Sequence, residues 1–496
     1  MNKPNIVIIM TDQHRADLCA REGYPLDLTP FLDRLAAQGT WFDHAYTSAP
    51  LCAPARVSML TGRYPQATRV KVNMNVKDAT YSQDIVDVLK DQGYATALSG
   101  KNHSHLTPER VDFWYELSHN GGWGDDRTGE EKDFDQFLIN LHHVTPEEPT
   151  PFPMECQGPY RAVSRAKEWI KSLDDQPFFL WLSFAEPHNP CQVPEPYFSM
   201  FPPESLPPTE SGPEDIQSKS FKWQWTKWLG TQGVEDYEKK VPRTRSNYMG
   251  MLRLIDDQVK RFIDFLDEEG IRDDTIIVFV ADHGDFVGEY GLVRKGPEMS
   301  ECLMKIPLSF TGPGIVVGES AHPAYVSSVD IMPTLCEAVD VPLPSGVQGR
   351  SLWPLLTGGE YPMGEFESIY GEQGFGGLHF VEGDVPDPVA EGCLSPGTDC
   401  SYDCLNSCTL SGAMRMVRKG DWKLTYDMQG RGELFNLADD PAELNNLYGK
   451  EEVGAIQAEL LAELLTWTLR SDDMLPLPRE RYTVKTDPRN YWTPHK

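Results

Sequence analysis

The sequence predicts an α/β protein: a large, mostly parallel sheet sandwiched by helices, followed by a smaller C-terminal α+β subdomain. Two observations carry that expectation. Apolar runs alternate with amphipathic helical patterns over residues 1–360, as in a parallel sheet covered on both faces. From about residue 361 the pattern changes to short strands around tight turns, with a helix at the end.

Taken in order, the first strand covers residues 6–10, Ile-Val-Ile-Ile-Met. Thr29 then caps, and Pro30 opens, a helix through Phe31, Leu32, Leu35 and Ala36, which Gly39 closes. Pro54 suits the first turn of a second helix and Gly62 its end. Ser82 starts a third through Ile85, Val86, Val88 and Leu89, ending at Gly93. Strands follow at residues 95–98, 178–184, 275–280 and 307–310, with a long amphipathic helix over residues 247–269 ending at Gly270. Residues 104–160 and 190–244, rich in Pro and aromatic residues, read as long insertions over a sheet edge, where binding loops tend to sit. In residues 361–496, strands at 414–417 and 422–426 flank the turn Lys419-Gly420-Asp421, and a helix spans residues 456–469.

Composition narrows the function. A chain of 496 residues with 40% hydrophobic and 24% charged content suits a soluble protein with more than one core. No run of about 18 apolar residues is present to span a membrane. The first residues are too short and too weakly basic for a signal peptide, so the chain as written reads as cytoplasmic, or as periplasmic or secreted if a leader has been trimmed. A net charge of −30 argues against nucleic acid or an anionic membrane as partner and leaves a small anionic substrate open. Of ten cysteines, Cys393, Cys400, Cys404 and Cys408 cluster without the paired spacing of a zinc knuckle, so disulfides or free thiols fit them better.

The chemistry gathers where the buried strands end. Asp12 and Gln13 follow the first strand, Lys101 and His103 the second, Glu186 to Asn189 the third, and Asp282 and His283 the fourth. In an open parallel sheet the carboxyl ends share one edge, and ligands bind there. Asp12, Gln13, Asp282 and His283 offer two carboxylates, an amide oxygen and an imidazole, a set suited to one divalent cation. Helix capping by Asp12 and Asp282 is the plainer alternative. Cys52 sits at a helix N-terminus, where backbone N–H groups favour an anion, and Arg56 returns to the same face one turn on. A cysteine-phosphatase loop needs an arginine where this chain has Ser58, which excludes that chemistry.

Cys52-Ala53-Pro54-Ala55-Arg56 followed by Leu60-Thr61-Gly62-Arg63 resembles the signature of type I sulfatases in the alkaline phosphatase superfamily. The likeness continues in order through Lys101 and His103, His188, Asp282-His283-Gly284, Lys295, and the C-terminal Trp422-Lys423-Leu424 and Glu433-Leu434-Phe435 segments. It implies an alkaline phosphatase-like fold and a maturation enzyme that oxidises Cys52 to formylglycine. One hydroxyl of the aldehyde hydrate, acidified by a divalent metal, would attack sulfur and expel the alcohol. Loss of a proton from the second hydroxyl would then release sulfate. On this resemblance Cys52, Arg56, Lys101, His103, His188 and Lys295 are catalytic: His103 the base, Arg56 the orienting group, His188 the acid, and His188 with Lys295 the grip on sulfate oxygens. Asp12, Gln13, residue 52, Asp282 and His283 would hold the metal, calcium first, with magnesium or manganese as alternatives. Gln13 and His283 stand where many members carry Asp and Asn, a pair shared with phosphonate monoester hydrolases, whereas the Lys101-x-His103 pair favours sulfate esters.

Trp114, Trp123, Trp223, Trp225 and Trp228 offer stacking faces for a sugar, which makes a sulfated carbohydrate the first expectation for substrate and an aryl or alkyl sulfate the second. Asn73, His119 and Trp123 are candidate substrate contacts. A phosphonate or phosphate diester hydrolase, or a non-catalytic binding protein keeping the fold, are the competing classes.

Overall fold

The computed structural model describes residues 3–231, 236–296, 298–377, 412–473 and 487–493, without the side chains of Trp225 and residues 228–231. Cys393, Cys400, Cys404 and Cys408, and the side chains of Trp225 and Trp228, therefore lie outside the described residues.

An eight-stranded sheet forms the centre, in the order Thr40–Trp41, Leu308–Thr311, Thr275–Ala281, Asn5–Thr11, Phe178–Ser183, Ala95–Gly100, Phe113–Ser118, Gly121–Gly122. The five strands from Thr275–Ala281 to Phe113–Ser118 are parallel, with Ile8 opposite both Trp181 and Val278. The two strands at one end and the one at the other pair antiparallel, so the strand expected at residues 307–310 runs against its neighbour. Side chains alternate between two cores, as the period of two demands. Ile6, Ile8 and Met10 pack with Leu89, Ile331 and Leu335 on one face, while Val7 and Ile9 pack with Val163, Val259 and Phe262 on the other. Each such side chain contributes about 1.5–3 kcal/mol on burial, and both faces are closed to water.

Several expected boundaries move, each for a local reason. Residues 104–160 do not lie over the sheet edge; Phe113–Ser118 and Gly121–Gly122 extend it, and the helix Gly129–Asn140 follows. The half-buried Phe-Trp-Tyr-Glu run at that edge lacks the apolar continuity that marks the inner strands. The long helix spans Tyr237–Glu268, starting ten residues before residue 247 and accommodating Pro242 near its beginning. Thr29 makes no capping hydrogen bond. Asp256, on the long helix, accepts instead from the Phe31 and Leu32 N–H groups at 2.9 and 2.7 Å, closing the N-terminus of Pro30–Ala36. Likewise Asp84, in a capping box with Asp87, starts the helix Ile85–Asp91 in place of Ser82.

The C-terminal part carries a four-stranded antiparallel sheet, Ser368–Gln373, Met414–Lys419, Trp422–Asp427 and Gly432–Asn436, under the helix Gly454–Ser471. The two middle strands match the sequence reading, and the outer two complete the sheet. Leu460, Leu464 and Trp467 of that helix close a core with Val417, Leu424 and Leu434. Charge pairs tie this sheet to helices of the first part of the chain: Glu301 pairs with Arg418 and with Lys423, and Lys222 pairs with Asp427 at 3.1 Å.

Gly100 ends its strand at φ +110, and an added Cβ would meet the Ser183 carbonyl oxygen at 1.8 Å. Gly100→Ala is expected to destabilise the protein by about 3 kcal/mol or more, read as a lowered urea midpoint; an unchanged midpoint would refute that close approach. Glu298 is buried, and among the described residues neither of its carboxyl oxygens has a hydrogen-bond partner. Burial pushes its pKa up to about 8 against the pull of Lys222, with Glu433 adding to the rise. The native state then holds a proton that the unfolded chain loses near pH 4.5, so stability falls as pH rises from there toward 8. Glu298→Gln should flatten that fall in pH-dependent urea titrations; identical slopes in variant and wild type would show the carboxyl already ionised.

Candidate active site

The carboxyl ends of four parallel strands converge, and each delivers polar residues to one rim. Thr11 leads to Asp12 and Gln13, Gly100 to Lys101 and His103, Ser183 to His188, and Ala281 to Asp282 and His283. Gln13 takes a left-handed backbone, φ 64, that is held on three sides. Its N–H donates to Asp282 Oδ1 at 3.0 Å, its carbonyl accepts from the Tyr248 hydroxyl, and its amide Nε2 donates to Asp285 at 2.6 Å.

The helix Cys52–Thr61 lies against this rim with all ten residues buried, between an extended Leu51 and a left-handed Gly62. Arg56, fully buried one turn from Cys52, is the junction. Its Nε donates to Asp282 Oδ2 at 2.9 Å and Nη2 to Asp12 Oδ2 at 3.1 Å, while Nη1 reaches Ser183 Oγ at 2.8 Å and the Lys101 carbonyl at 3.0 Å. Lys101 Nζ pairs with Asp12 from the other side.

Cys52 Sγ is 3.1 Å from Lys295 Nζ, 3.2 Å from His283 Nε2 and 3.6 Å from Asp12 Oδ1, and His103 is within hydrogen-bonding reach. His283 Nδ1 donates to the Gly284 carbonyl at 2.7 Å, and against its burial Asp282 and Cys52 raise the ring's pKa, so Nε2 holds a proton toward the thiolate and would offer a lone pair to a cation that took that proton's place. Burial and Asp12 push the Cys52 thiol up, but Lys295, Lys101 and His283 outweigh them and hold it well below the usual thiol range. Asp12 is likewise held well below the carboxylate range, because Lys101, His188, Arg56 and Lys295 overcome its burial. Asp282, by contrast, is raised by burial and by the charge on Asp12.

One oxygen each of Asp12 and Asp282, one nitrogen of His283 and the sulfur of Cys52 lie within 4.8 Å of one another. Two crowded carboxylates and an imidazole lone pair, all buried, fit a divalent cation. Gln13 directs its amide oxygen at Lys295 Nζ, on the same rim.

Beside this centre stands a group of three imidazoles. His188 Nδ1 donates to the Asn189 carbonyl, His119 stacks flat on His188 at 4.5 Å and 12°, and His143 lies 4.9 Å from His119. Burial, reinforced by Lys295, lowers the His188 pKa well below the usual value, so in this state the ring is neutral at pH 7.

Asp12, Gln13, Cys52, Arg56, Lys101, His103, His188, Asp282, His283 and Lys295 thus meet at one place, with His119 against them. The remaining expectations change. Asn73 spends its Oδ1 on the Ala53 N–H at 3.0 Å, occupying one of the free amides at the helix start. Trp123 is 61% exposed and makes no contact with the rim among the described residues. Trp114 is half-buried against the core, and Trp223 is buried against Tyr290 and Phe286, which leaves Trp223 no face for a sugar. Sequence reasoning passed over Ser183, Tyr248, Asp285, His143 and Arg294. Of these only Ser183, at a strand end, carried a positional signal.

The fold defines an alkaline phosphatase-like hydrolase. The sulfatase family model matches residues 4–341, and the chain belongs to the sulfatase family. It is 27% identical to an arylsulfatase of Clostridium perfringens over 481 residues, 91% of each chain. It is 25% identical to an N-acetylglucosamine-6-O-sulfatase of Bacteroides thetaiotaomicron, over 98% of this chain and 90% of that one. Among solved structures, the phosphonate monoester hydrolase of Agrobacterium radiobacter superposes with a TM-score of 0.77 at 22% identity, covering 95% of this chain and 96% of that one, a likeness of fold. The protein is an enzyme that hydrolyses sulfate esters. No helix among the described residues is long and apolar enough to cross a membrane.

Removing the central guanidinium leaves two buried carboxylates facing each other. Arg56→Met is expected to cost about 3–5 kcal/mol of unfolding free energy in metal-free buffer, and Arg56→Met with Asp282→Asn should recover part of it. Equal urea midpoints for Arg56→Met and wild type would show that the carboxylates do not depend on Arg56.

Proposed function

We propose that the protein cleaves a sulfate ester on a carbohydrate, using a formylglycine derived from Cys52 and one divalent metal ion. The observation that carries this reading is the position of residue 52: its side chain touches a lysine, an imidazole and a carboxylate at the convergence of four strand ends.

Asp12, Asp282, His283 through Nε2, and the amide oxygen of Gln13 would hold the metal. The oxygen-rich set favours calcium, with magnesium or manganese as alternatives. When bound, the ion would acidify a hydroxyl of the oxidised residue 52 and draw charge from a sulfate oxygen. Arg56 fixes the helix that carries residue 52. His103, whose Nδ1 has no protein partner among the described residues, takes the proton whose loss releases sulfate, with Lys101 beside it. Lys295 Nζ and His188 grip sulfate oxygens, and His188 Nε2, left free by the bond from Nδ1 to Asn189, faces the departing alcohol as its acid. Sulfate between Lys295 and His188 favours the protonated ring, so its charge would arrive with the substrate.

Because the whole helix Cys52–Thr61 is buried, a maturation enzyme must reach the thiol before folding closes over it. The carbohydrate substrate is supported by the similarity to an N-acetylglucosamine-6-O-sulfatase. Gln13 and His283 support a second reading, a phosphonate monoester hydrolase, while the Lys101 and His103 pair supports the sulfate ester.

Protein produced beside a formylglycine-generating enzyme should show the Cys52 peptide about 18 Da lighter than its thiol form by intact-peptide mass. Retention of the thiol in active protein would end the formylglycine reading. With a matched pair of esters sharing one leaving group, kcat/KM should favour sulfate over phosphonate, and Lys295→Ala should lower kcat on sulfate about 100–1,000-fold. A preference for the phosphonate would replace the first reading by the second. Chelation should abolish turnover, and full activity in metal-free protein would remove the ion from the proposal.

A further inference from the structure

Lys295 and Arg294 are neighbours whose side chains part company. Lys295 Nζ turns to Cys52, whereas the Arg294 guanidinium donates to the His143 carbonyl at 2.9 Å. Among the described residues that is its one hydrogen bond, and no carboxylate lies within ion-pair distance of it. The nearest acid in the same wall, Asp285, is already committed: its Oδ1 accepts from the Val287 and Arg294 N–H groups and its Oδ2 from Gln13. Lys240, in the opposite wall, has no acidic partner either among the described residues. Between them lies a cavity of about 40 Å³, also lined by His143, Thr145, Tyr237 and Asn189. Asn189 adjoins His188, and the His143 ring approaches His188 to 6.1 Å, so the cavity abuts the sulfate-handling side of the rim.

A guanidinium that uses one of its five N–H donors beside a hollow is expensive to keep, since burying charge without a counter-charge costs several kcal/mol. Burial lowers the Arg294 pKa, and Tyr237, Cys191 and Asp285 offset only part of that. The backbone on both sides is held in left-handed conformations that side chains rarely adopt, φ 71 at Arg294 and φ 64 at His143. A group of about three heavy atoms fits the volume, at roughly 10–15 Å³ per water-sized atom.

We propose that this cavity is a subsite for a second oxyanion carried by the substrate, a carboxylate or a further sulfate group, which Arg294 receives with help from Lys240. The inference rests on the sulfate-ester reading above and deepens it: the preferred substrate is a doubly anionic sugar. A planar guanidinium offers paired N–H donors that match two oxygens of either group.

The test uses full-length wild type and the variants Arg294→Met, Arg294→Lys and Lys240→Ala, each with a monosulfated hexosamine, a disulfated hexosamine and a sulfated uronic acid. The ratio of kcat/KM for each doubly charged sugar over the singly charged one is read first. Binding of the same sugars to a Cys52→Ala background by calorimetry is read second. Wild type should favour a doubly charged sugar, and Arg294→Met should cut that ratio about tenfold or more, with Arg294→Lys partly restoring it and Lys240→Ala lowering it less. Preference for the disulfated sugar alone, or for the uronic acid alone, identifies which oxyanion the subsite takes. Absence of any preference in wild type, or an equal loss on all three sugars in Arg294→Met, overturns the subsite and leaves the sulfate-ester reading standing. Arg294-dependent binding preference without turnover of any sulfate ester would overturn that reading and keep the subsite. Should Arg294→Met not fold, Arg294→Lys and Lys240→Ala carry the same comparison.

Discussion

The arrangement depends on a guanidinium buried between two carboxylates. Arg56 belongs to a helix, Asp12 and Asp282 to the ends of two adjacent parallel strands, and the Lys101 carbonyl and Ser183 hydroxyl to two more. Taking three charges out of water is costly, and only nearly complete pairing makes it tolerable. That requirement fixes the helix against the sheet edge within a fraction of an ångström, because a hydrogen bond lost to a shift cannot be replaced by solvent. Cys52, one turn earlier on the same face, inherits its position from this lock.

A second consequence is electrostatic. The chain carries a net charge of −30, yet its rim gathers Arg56, Lys101, Lys295 and, beside them, Arg294. At short range in a poorly solvated pocket the local cations govern, while beyond a Debye length of about 8–10 Å the acidic surface dominates. A long polyanion would meet that acidic field over most of its length, whereas a small anion entering the pocket meets chiefly the cations.

The sheet and the rim were legible in the sequence because they rest on local signals. Strands buried on both faces read as unbroken apolar runs, and polar residues directly after them fall on one edge of a parallel sheet. What escaped rests on contacts between residues far apart in the chain. Phe113–Ser118 is a strand only because Ala95–Gly100 pairs with it, and its half-exposed aromatic run has no signature of its own. Trp223 looks available for stacking until Phe286 and Tyr290 enclose it. Tyr248 and Asp285 brace Gln13 from 235 and 272 residues away, distances over which no spacing rule operates. Asn73, singled out in sequence as a substrate contact, also braces the Cys52 helix, a bond no spacing rule announces.

The cap that Asp256 supplies to Phe31 and Leu32 has a bearing on assembly order. A helix of seven residues is marginal in isolation, and this one takes its N-terminal hydrogen bonds from a side chain more than 220 positions downstream. During synthesis that closure must wait until Asp256 and the helix that carries it have left the ribosome. The first strand's neighbours, Phe178–Ser183 and Thr275–Ala281, are similarly delayed. The stretch bearing residue 52 thus emerges well before the strands that enclose it.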